Sequence, residues 1–373
     1  MFEPLLIICL IVFTGSYVWF LLRVQIGISR LKKQPRQSQQ PYVSVVIAAR
    51  NEEKNISKLL SSLMRQSYPS QQYEIILVDD GSTDNTSFIV RQFQEQNRSL
   101  VLCHTPEFSR TKTGRKAAAL ALGIQSAKGA IIATTDADCV VSSRWIETLV
   151  QYFSDETAMV AGPVFEKSSA SVFSNLESLE FLGLITVAAG LIGSGRPIIC
   201  NGANLAYRKS AFEKVHGFGD GNNDDEALMN RIVYNKVGRI AFAANSEAHV
   251  TTASDNTLKT FFLQRIRWAN KRGHYEDSSI LFTLVALYLF FVSLAAVCVH
   301  AIFHGTLIDA AFIVFTIKLL LDYTTLRTGA VLWKQSLSLP YFLVAEVFHV
   351  PYILLAAAVG QIGTLTWKGR TIT

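Results

Sequence analysis

The chain has 373 residues, of which 50 % are hydrophobic and 17 % charged, with a formal net charge of +6. That length suits one large domain or two ordinary ones, and the apolar share exceeds that of an ordinary soluble enzyme. The basic excess is local and set against an apolar segment, with no recognition motif beside it, which argues against a nucleic-acid site.

The apolar residues are concentrated. Neither 4–22 nor 278–303 holds an Asp, Glu, Lys or Arg, and each stretch can cross a hydrocarbon core of about 30 Å as a helix. The first lacks a basic segment before it and a small-residue cleavage site after it. Residues 1–23 therefore read as a retained transmembrane anchor rather than a cleaved signal peptide. Arg23, Arg30, Lys32, Lys33 and Arg36 follow, with no acidic residue before Glu52. Basic residues stay on the cytoplasmic side, so the expected arrangement is a multi-pass protein of the cell (inner) membrane with the middle of its chain in the cytoplasm. Residues 24–40 are a basic, exposed linker. The cysteines, Cys9, Cys103, Cys139, Cys200 and Cys298, form no C-x-x-C pair and read as reduced thiols. No Cys or His lies at ligand spacing from His216, His249 or His274, so no zinc site is expected.

Residues 41–272 read as a globular α/β domain. Strands are expected at Val43–Ala48, Glu74–Val78, Leu100–His104 and Ala130–Thr135, alternating with helices at 54–66, 84–95 and 115–127. Such alternation predicts a mostly parallel sheet flanked by helices, and ligands of such sheets sit beyond the carboxyl ends of the strands.

Acidic clusters fall at those ends. The first strand runs into Ala48-Ala49-Arg50-Asn51-Glu52 and the second into Asp79-Asp80-Gly81-Ser82. A strand-end carboxylate can accept from ribose hydroxyls or a base N–H; a turn followed by a helix cap gives the same letters. Asp136-Ala137-Asp138 follows the apolar Ile131–Thr134, and two carboxylates one residue apart can both turn to one divalent cation bridging diphosphate oxygens. A surface turn is the alternative.

The segment 172–193 reads either as an amphipathic helix lying along a membrane or as a buried core helix. Cys200–Asn204 follows it. Asn223-Asp224-Asp225-Glu226 opens a helix with more carboxylates than a helix dipole needs, and one of them is a candidate general base. Gln264-Arg265-Ile266-Arg267-Trp268 lies on a helix, where Gln264, Arg267 and Trp268 share a face. Arginine suits a pyrophosphate and an indole suits a sugar ring, although a basic aromatic belt at a membrane interface has the same composition.

About three helices are expected over 278–366. Those at 309–326 and 339–366 carry Lys318, Asp322, Glu346 and His349. Three spans would leave the tail outside, whereas Lys368 and Arg370 favour the inside. Ionisable residues within spans often mark function, which raises an inactive membrane sensor or channel as a further reading; pairing within the helix bundle is the simpler account.

In this order the motifs resemble glycosyltransferase family 2, the inverting GT-A enzymes that include cellulose, chitin and hyaluronan synthases and ceramide glucosyltransferases. The resemblance covers about 41–272 and rests on Ala49–Glu52, Asp79–Ser82, Gly114-Arg115-Lys116, Asp136-x-Asp138, Asp224-Asp225 and Gln264-x-x-Arg267-Trp268. It implies a GT-A nucleotide-sugar-binding fold and an inverting transfer from a nucleotide diphosphate donor, UDP-sugar first. Ala49, Glu52, Asp79, Asp80 and Lys116 would contact the donor. Asp138, with Asp136, would bind Mg2+ or Mn2+, and Asp136 is placed on the ribose as well. Asp225 would be the base, with Asp224 beside it, and Arg267 would hold the diphosphate. Gln264, Arg265, Trp268, Asn201 and Gly202 fall on the acceptor or membrane side. The expected acceptor is a lipid or lipid-linked glycan; processive polysaccharide synthesis with extrusion through the membrane section is the alternative. Two departures stand out. The family usually has Glu-Asp where this chain has Asp224-Asp225, and the Phe-x-Val-Thr segment of cellulose synthases has no match.

Overall fold

The computed structural model describes residues 2–31, 40–106, 115–167, 171–219, 225–252, 258–269, 276–362, 365–367 and 370–372. Of the expected site residues, Asp224 and Gly114 lie outside these, and so do the side chains of Arg115, Arg267 and Trp268. His274, Lys32, Lys33, Arg36 and Lys368 also lie outside.

The first helix is α1 (Phe2–Ser29). Strand and helix then alternate through β1 (Val43–Ala49), α2 (Ile56–Leu63), β2 (Tyr73–Asp79), α3 (Thr86–Gln96), β3 (Leu100–His104), α4 (Arg115–Ser126) and β4 (Ile131–Thr134). Next come β5 (Val140–Val141), α5 (Trp145–Gln151), β6 (Thr157–Ala161), β7 (Val164–Glu166), α6 (Val172–Gly193), β8 (Leu205–Arg208), α7 (Lys209–Lys214), α8 (Asp225–Tyr234), β9 (Arg239–Phe242) and β10 (Val250–Thr252). The remainder is α9 (Leu258–Ala269), α10 (Ser278–His304), α11 (Ile308–Trp333), α12 (Leu339–Ile362), β11 (Leu365–Trp367) and β12 (Arg370–Ile372).

The chain forms two compact units, one of 30–167 with 191–253, the other of 1–29, 168–190 and 254–373. In the first, seven strands form one sheet in the order β3-β2-β1-β4-β8-β6-β9. β1, β2, β3 and β4 are mutually parallel, while β8 runs antiparallel between β4 and β6. Helices cover both faces, so the parallel strands are apolar almost throughout; all seven residues of β2 are buried. Glu74 is the exception, and its carboxylate is satisfied. Oε1 accepts from the Ser44 hydroxyl and the Lys128 amide, each at 2.7 Å. A second, three-stranded sheet has the order β5-β10-β7.

Register decides where the chemistry falls. Ala49 lies beside Asp79, and Asp79 beside His104, so the first three strands end together. Successive strands lie on one side of β1 and β4 on the other. That reversal leaves a crevice at the carboxyl ends, between β1 and β4.

The second unit is helical apart from the antiparallel pair β11–β12. Leu10, Tyr17, Leu21, Phe290, Phe291, Leu294, Val297 and Val314 form its core, with Tyr17 stacked on Phe290 at 4.2 Å. Among the described residues four helices, α1, α6, α10 and α12, are long and apolar enough to cross a membrane. α11 matches them in length but carries Asp309, Lys318, Asp322 and Arg327. α1 runs past the expected boundary at 23 into the linker because Val24, Ile26 and Ile28 extend the apolar run and Val24 is fully buried. α6 has the expected bounds, but it is not one-faced: Glu177, Leu182, Ile185, Thr186 and Ala189 are all buried. A stripe lying on a membrane would leave one side polar and exposed, so the core-helix alternative fits better.

Lys318, fully buried, accounts for the buried charges on α11 and α12. Its ammonium donates to Asp322 Oδ2 at 2.8 Å and to Glu346, and lies 3.1 Å from His349 Nδ1. The Tyr17 hydroxyl donates to the other oxygen of Asp322. α1, α11 and α12 are thereby joined, and these residues pair with one another. Replacing the lysine leaves two buried carboxylates facing each other. Lys318→Met is expected to cost about 3–5 kcal/mol, read as a lower melting temperature in detergent, with partial recovery in Lys318→Met/Glu346→Met. An unchanged melting temperature in the single variant would show that the ammonium does not hold the helices.

Candidate active site

The loops after β1 and β2 are laced to each other. Gly81 takes a left-handed φ of 73°, open to glycine at no steric cost, and turns the chain directly after Asp80. Asp79 is 3 % exposed. Its Oδ1 accepts from the Ser82 amide at 2.9 Å and the Ser82 hydroxyl at 2.7 Å, and its Oδ2 accepts from Ser87. Burial pushes its pKa up, but these bonds and the nearby His104 imidazole outweigh burial and hold it below the usual carboxylate range. On the facing loop, Asn51 Oδ1 accepts from the Thr83 amide at 2.8 Å, and the Glu52 amide donates to Thr86 Oγ1 at 2.8 Å. Asp79 therefore shapes the turn. Asp80 is anchored from both sides, its amide donating to Ala49 O at 2.9 Å and its Oδ1 accepting from Thr105 at 3.0 Å. Sequence reasoning passes over Thr105. The available signal is position, since it follows β3 directly and β3 ends beside β2.

Beyond β4, burial alternates. Thr135, Ala137 and Cys139 are buried, while Asp136 and Asp138 are half-buried. A turn closes here, the Cys139 amide donating to Asp136 O at 3.1 Å. Asp136 Oδ1 lies 2.8 Å from Lys116 Nζ of α4, so these two expected donor residues do meet. Burial and the charges of Asp136 and Asp138 push the Cys139 thiol well above its ordinary pKa. The Thr135 hydroxyl is buried without a hydrogen-bond partner among the described residues. The pair of carboxylates offers oxygen donors only, which suits a hard divalent cation.

The third component is the loop 201–204. Asn201 Oδ1 accepts from the Ala203 amide at 3.0 Å and so shapes its own turn. Asn204 is fully buried and fully used, accepting from Trp145 Nε1 at 2.9 Å and donating to Pro163 O and Ala248 O at 2.8 and 2.7 Å. Gly202 makes the decisive contacts. Its amide donates to Asp225 Oδ2 at 2.7 Å, and its carbonyl accepts from Thr134 Oγ1 at 3.3 Å. Asp225 Oδ1 also accepts from the Glu226 amide at 2.9 Å, at the start of α8. One glycine thus links the strand that delivers Asp136 and Asp138 to the helix that begins at Asp225.

Of the remaining expected residues, Gln264 and Arg265 belong to α9, in the helical unit. Arg265 is 3 % exposed and lies against Glu180, with Nη2 2.5 Å from Oε2. Asp322, Glu346 and His349 offer ligand atoms within 4.8 Å of one another. The ammonium of Lys318 already sits among them, which argues against a metal there.

Two family patterns match the chain: "Glycosyl transferase family 2" over 44–216 and "Glycosyl transferase family group 2" over 131–357. The chain belongs to glycosyltransferase family 2. Its similarity to the β-monoglucosyldiacylglycerol synthase of Nostoc sp. is 30 % identity over 252 residues, 64 % of this chain and 50 % of that protein. With the poly-β-1,6-N-acetyl-D-glucosamine synthase of Staphylococcus epidermidis it shares 26 % over 327 residues, 84 % and 74 % of the two chains. The chain spans about half the length, or less, of the first curated relatives it matches. Among solved structures it resembles a mannosyltransferase of Pyrobaculum calidifontis, in complex with GDP-Man and Mn2+. The TM-score is 0.62 at 20 % identity, over 92 % of this chain and 99 % of that one. This likeness establishes the GT-A fold of the family.

A Cβ at residue 202 would stand 3.0 Å from Asp225 Oδ2 and 3.2 Å from its Cβ. Gly202→Ala is therefore expected to shift the Asp225 carboxylate by a few tenths of an ångström. Sugar transfer should fall by about ten- to a hundred-fold, while the melting temperature of the purified enzyme barely changes. Wild-type turnover in this variant would show that the position of Asp225 does not limit the reaction.

Proposed function

We propose that this glycosyltransferase moves a sugar, with inversion, from a nucleoside diphosphate donor to a lipid or lipid-linked acceptor at the cytoplasmic face of a membrane. The observation that carries the reading is the Gly202 bridge, which couples the Asp136–Asp138 strand end to Asp225. Three functions need to lie together in such a reaction: nucleoside recognition, stabilisation of the leaving diphosphate, and proton removal from the acceptor.

Asp80, held between Ala49 and Thr105, would accept from the nucleoside, with Ala49 and Glu52 beside it and Asp79 holding the turn. Lys116 would serve the donor's base or phosphates. Asp138 and Asp136 would hold a Mg2+ or Mn2+ ion, which supplies positive charge to the diphosphate oxygens. Asp225 would take the proton from the acceptor hydroxyl as that oxygen attacks the anomeric carbon from the face opposite the leaving diphosphate. The anomeric C–O bond to the diphosphate breaks in the same displacement, so an α-donor gives a β-product. By the family motif, Arg267 would stabilise the diphosphate and Trp268 would meet the acceptor. UDP is the nucleotide that the family resemblance favours.

The acceptor reading rests on the name of the Nostoc relative and on the modest helical section, with α1 and three further helices to offer a polymer. Polysaccharide extension is the second reading, favoured by Gln264-x-x-Arg267-Trp268 and by the 84 % of this chain aligned with the poly-N-acetylglucosamine synthase. The side assignment rests on Arg23, near the end of α1, and Arg30, directly after it.

Asp225→Asn keeps the size of the side chain but cannot take a proton, and its NH2 can accept neither of the two backbone bonds that Asp225 accepts, so one of them is lost. Nucleoside diphosphate binding, measured by isothermal titration, should survive while transfer falls by about two to four orders of magnitude. Normal transfer by this variant would place the base elsewhere. Excess EDTA should stop turnover of the wild-type enzyme, and added Mn2+ should restore it; full activity in EDTA would remove the metal from the scheme. Incubation with radiolabelled nucleotide sugars and membrane lipid separates the acceptor readings, one labelled lipid indicating single transfer and a ladder indicating extension.

A further inference from the structure

Arg265 belongs to the Gln264–Trp268 motif, yet its guanidinium is buried away from solvent. Nε and Nη2 both donate to Glu180 Oε2 of α6, at 2.9 and 2.5 Å, and Nη1 lies 3.9 Å from Glu177 Oε1. Nη1 also donates to Gln264 Oε1. Phe261 packs over the guanidinium at 4.0 Å and Phe181 at 5.5 Å. Glu180 has a second partner, its Oε1 accepting from the Tyr352 hydroxyl of α12 at 2.6 Å. The Tyr352 ring returns to α9 against Phe261 and Phe262, with centroids 5.8 and 6.0 Å away.

We propose that Arg265 is a positioning residue for sugar transfer: the Arg265–Glu180–Tyr352 clamp sets the rotation of α9, and with it where Arg267 and Trp268 stand. The inference rests on the roles given to Arg267 and Trp268 under the proposed function. Three physical points carry it. A buried ion pair is a poor source of net stability, because desolvation offsets the attraction, and fixing one arrangement is its better-attested use. The guanidinium fork, stacked between aromatic rings and doubly bonded to one oxygen, resists rotation in a way a lone ammonium does not. Finally, residues two apart on a helix are about 200° apart around its axis. A clamp on the face of residue 265 therefore fixes the opposite face, where residue 267 lies, without occupying it.

The test uses full-length enzyme purified in detergent and measures kcat, donor and acceptor KM, UDP affinity in Mn2+, and melting temperature. Arg265→Met strands the buried Glu177 and the half-buried Glu180 and can fail to fold, so Glu180→Gln and Tyr352→Phe carry the experiment. Each keeps the shape of its side chain. Glu180→Gln is expected to lower kcat by about ten- to a hundred-fold and Tyr352→Phe by less, with both proteins folded. In an Arg267→Ala background, already impaired, Glu180→Gln should add little, because the clamp acts through the residue that is gone. Arg265→Lys, which keeps the charge and loses the fork, should behave like Glu180→Gln. Wild-type kcat in Glu180→Gln, or a full multiplicative loss in the Arg267→Ala background, overturns the clamp while leaving the proposed function standing. Wild-type activity in Arg267→Ala overturns the role of Arg267 and the clamp with it.

Discussion

The hydrogen bond from the Gly202 amide to Asp225 is short, and a Cβ at residue 202 would press on the Asp225 carboxylate at 3.0 Å. Everything else about the site is arranged around what that bond joins. On one side is β4, a buried strand whose last hydroxyl, on Thr134, reaches the Gly202 carbonyl. On the other is the first turn of α8, where the Glu226 amide gives Asp225 its second donor. A carboxylate held by two backbone amides has lost its rotational freedom before any substrate arrives, and pre-organisation of this kind is where enzymes gain much of their rate.

The sheet supplies the same rigidity to the loops after β1 and β2. Parallel strands in register bring Ala49, Asp79 and His104 to one edge, and the loops beyond them are crossed by side chain–backbone bonds from Asn51, Ser82 and Thr86. Asp79 and Asp80 adjoin in sequence and divide the work: one holds a turn in place and the other ties the ends of β1 and β3 together through Ala49 and Thr105.

Much of this was legible in the sequence, for definable reasons. The parallel strands are continuous apolar runs, so β1 to β4 emerge within a residue or two of their expected bounds; β3 matches at both ends. Lys116 and Asp136 were named separately as donor residues, and only the fold brings them together. The division between Asp79 and Asp80 was not legible, because it depends on Ser82, Ser87 and Thr105 approaching in space. Gly202 appeared as an acceptor-side residue, and its bond to Asp225 spans 23 positions that carry no periodic signal. α6 was ambiguous because apolar residues and two glutamates describe both a surface helix and a core helix. The choice between them lies in Arg265 and Tyr352, which composition around 172–193 does not contain. Intramembrane Lys318 was expected to find partners, and it does, but the involvement of Tyr17 joins opposite ends of the chain.

The clamp has a further consequence, in the order in which the protein is made. Glu180 leaves the ribosome 85 residues ahead of Arg265 and 172 residues ahead of Tyr352. During synthesis α6 is an apolar helix carrying two glutamates with no counter-charge, a poor candidate for early insertion into lipid. The two sheets of the other unit, complete once β10 has emerged, can fold in the meantime. α6 reaches its final surroundings only when α9 and α12 arrive to neutralise and bond its carboxylates. A chain truncated before Tyr352 would hold every strand of the seven-stranded sheet while leaving α6 without its last partner.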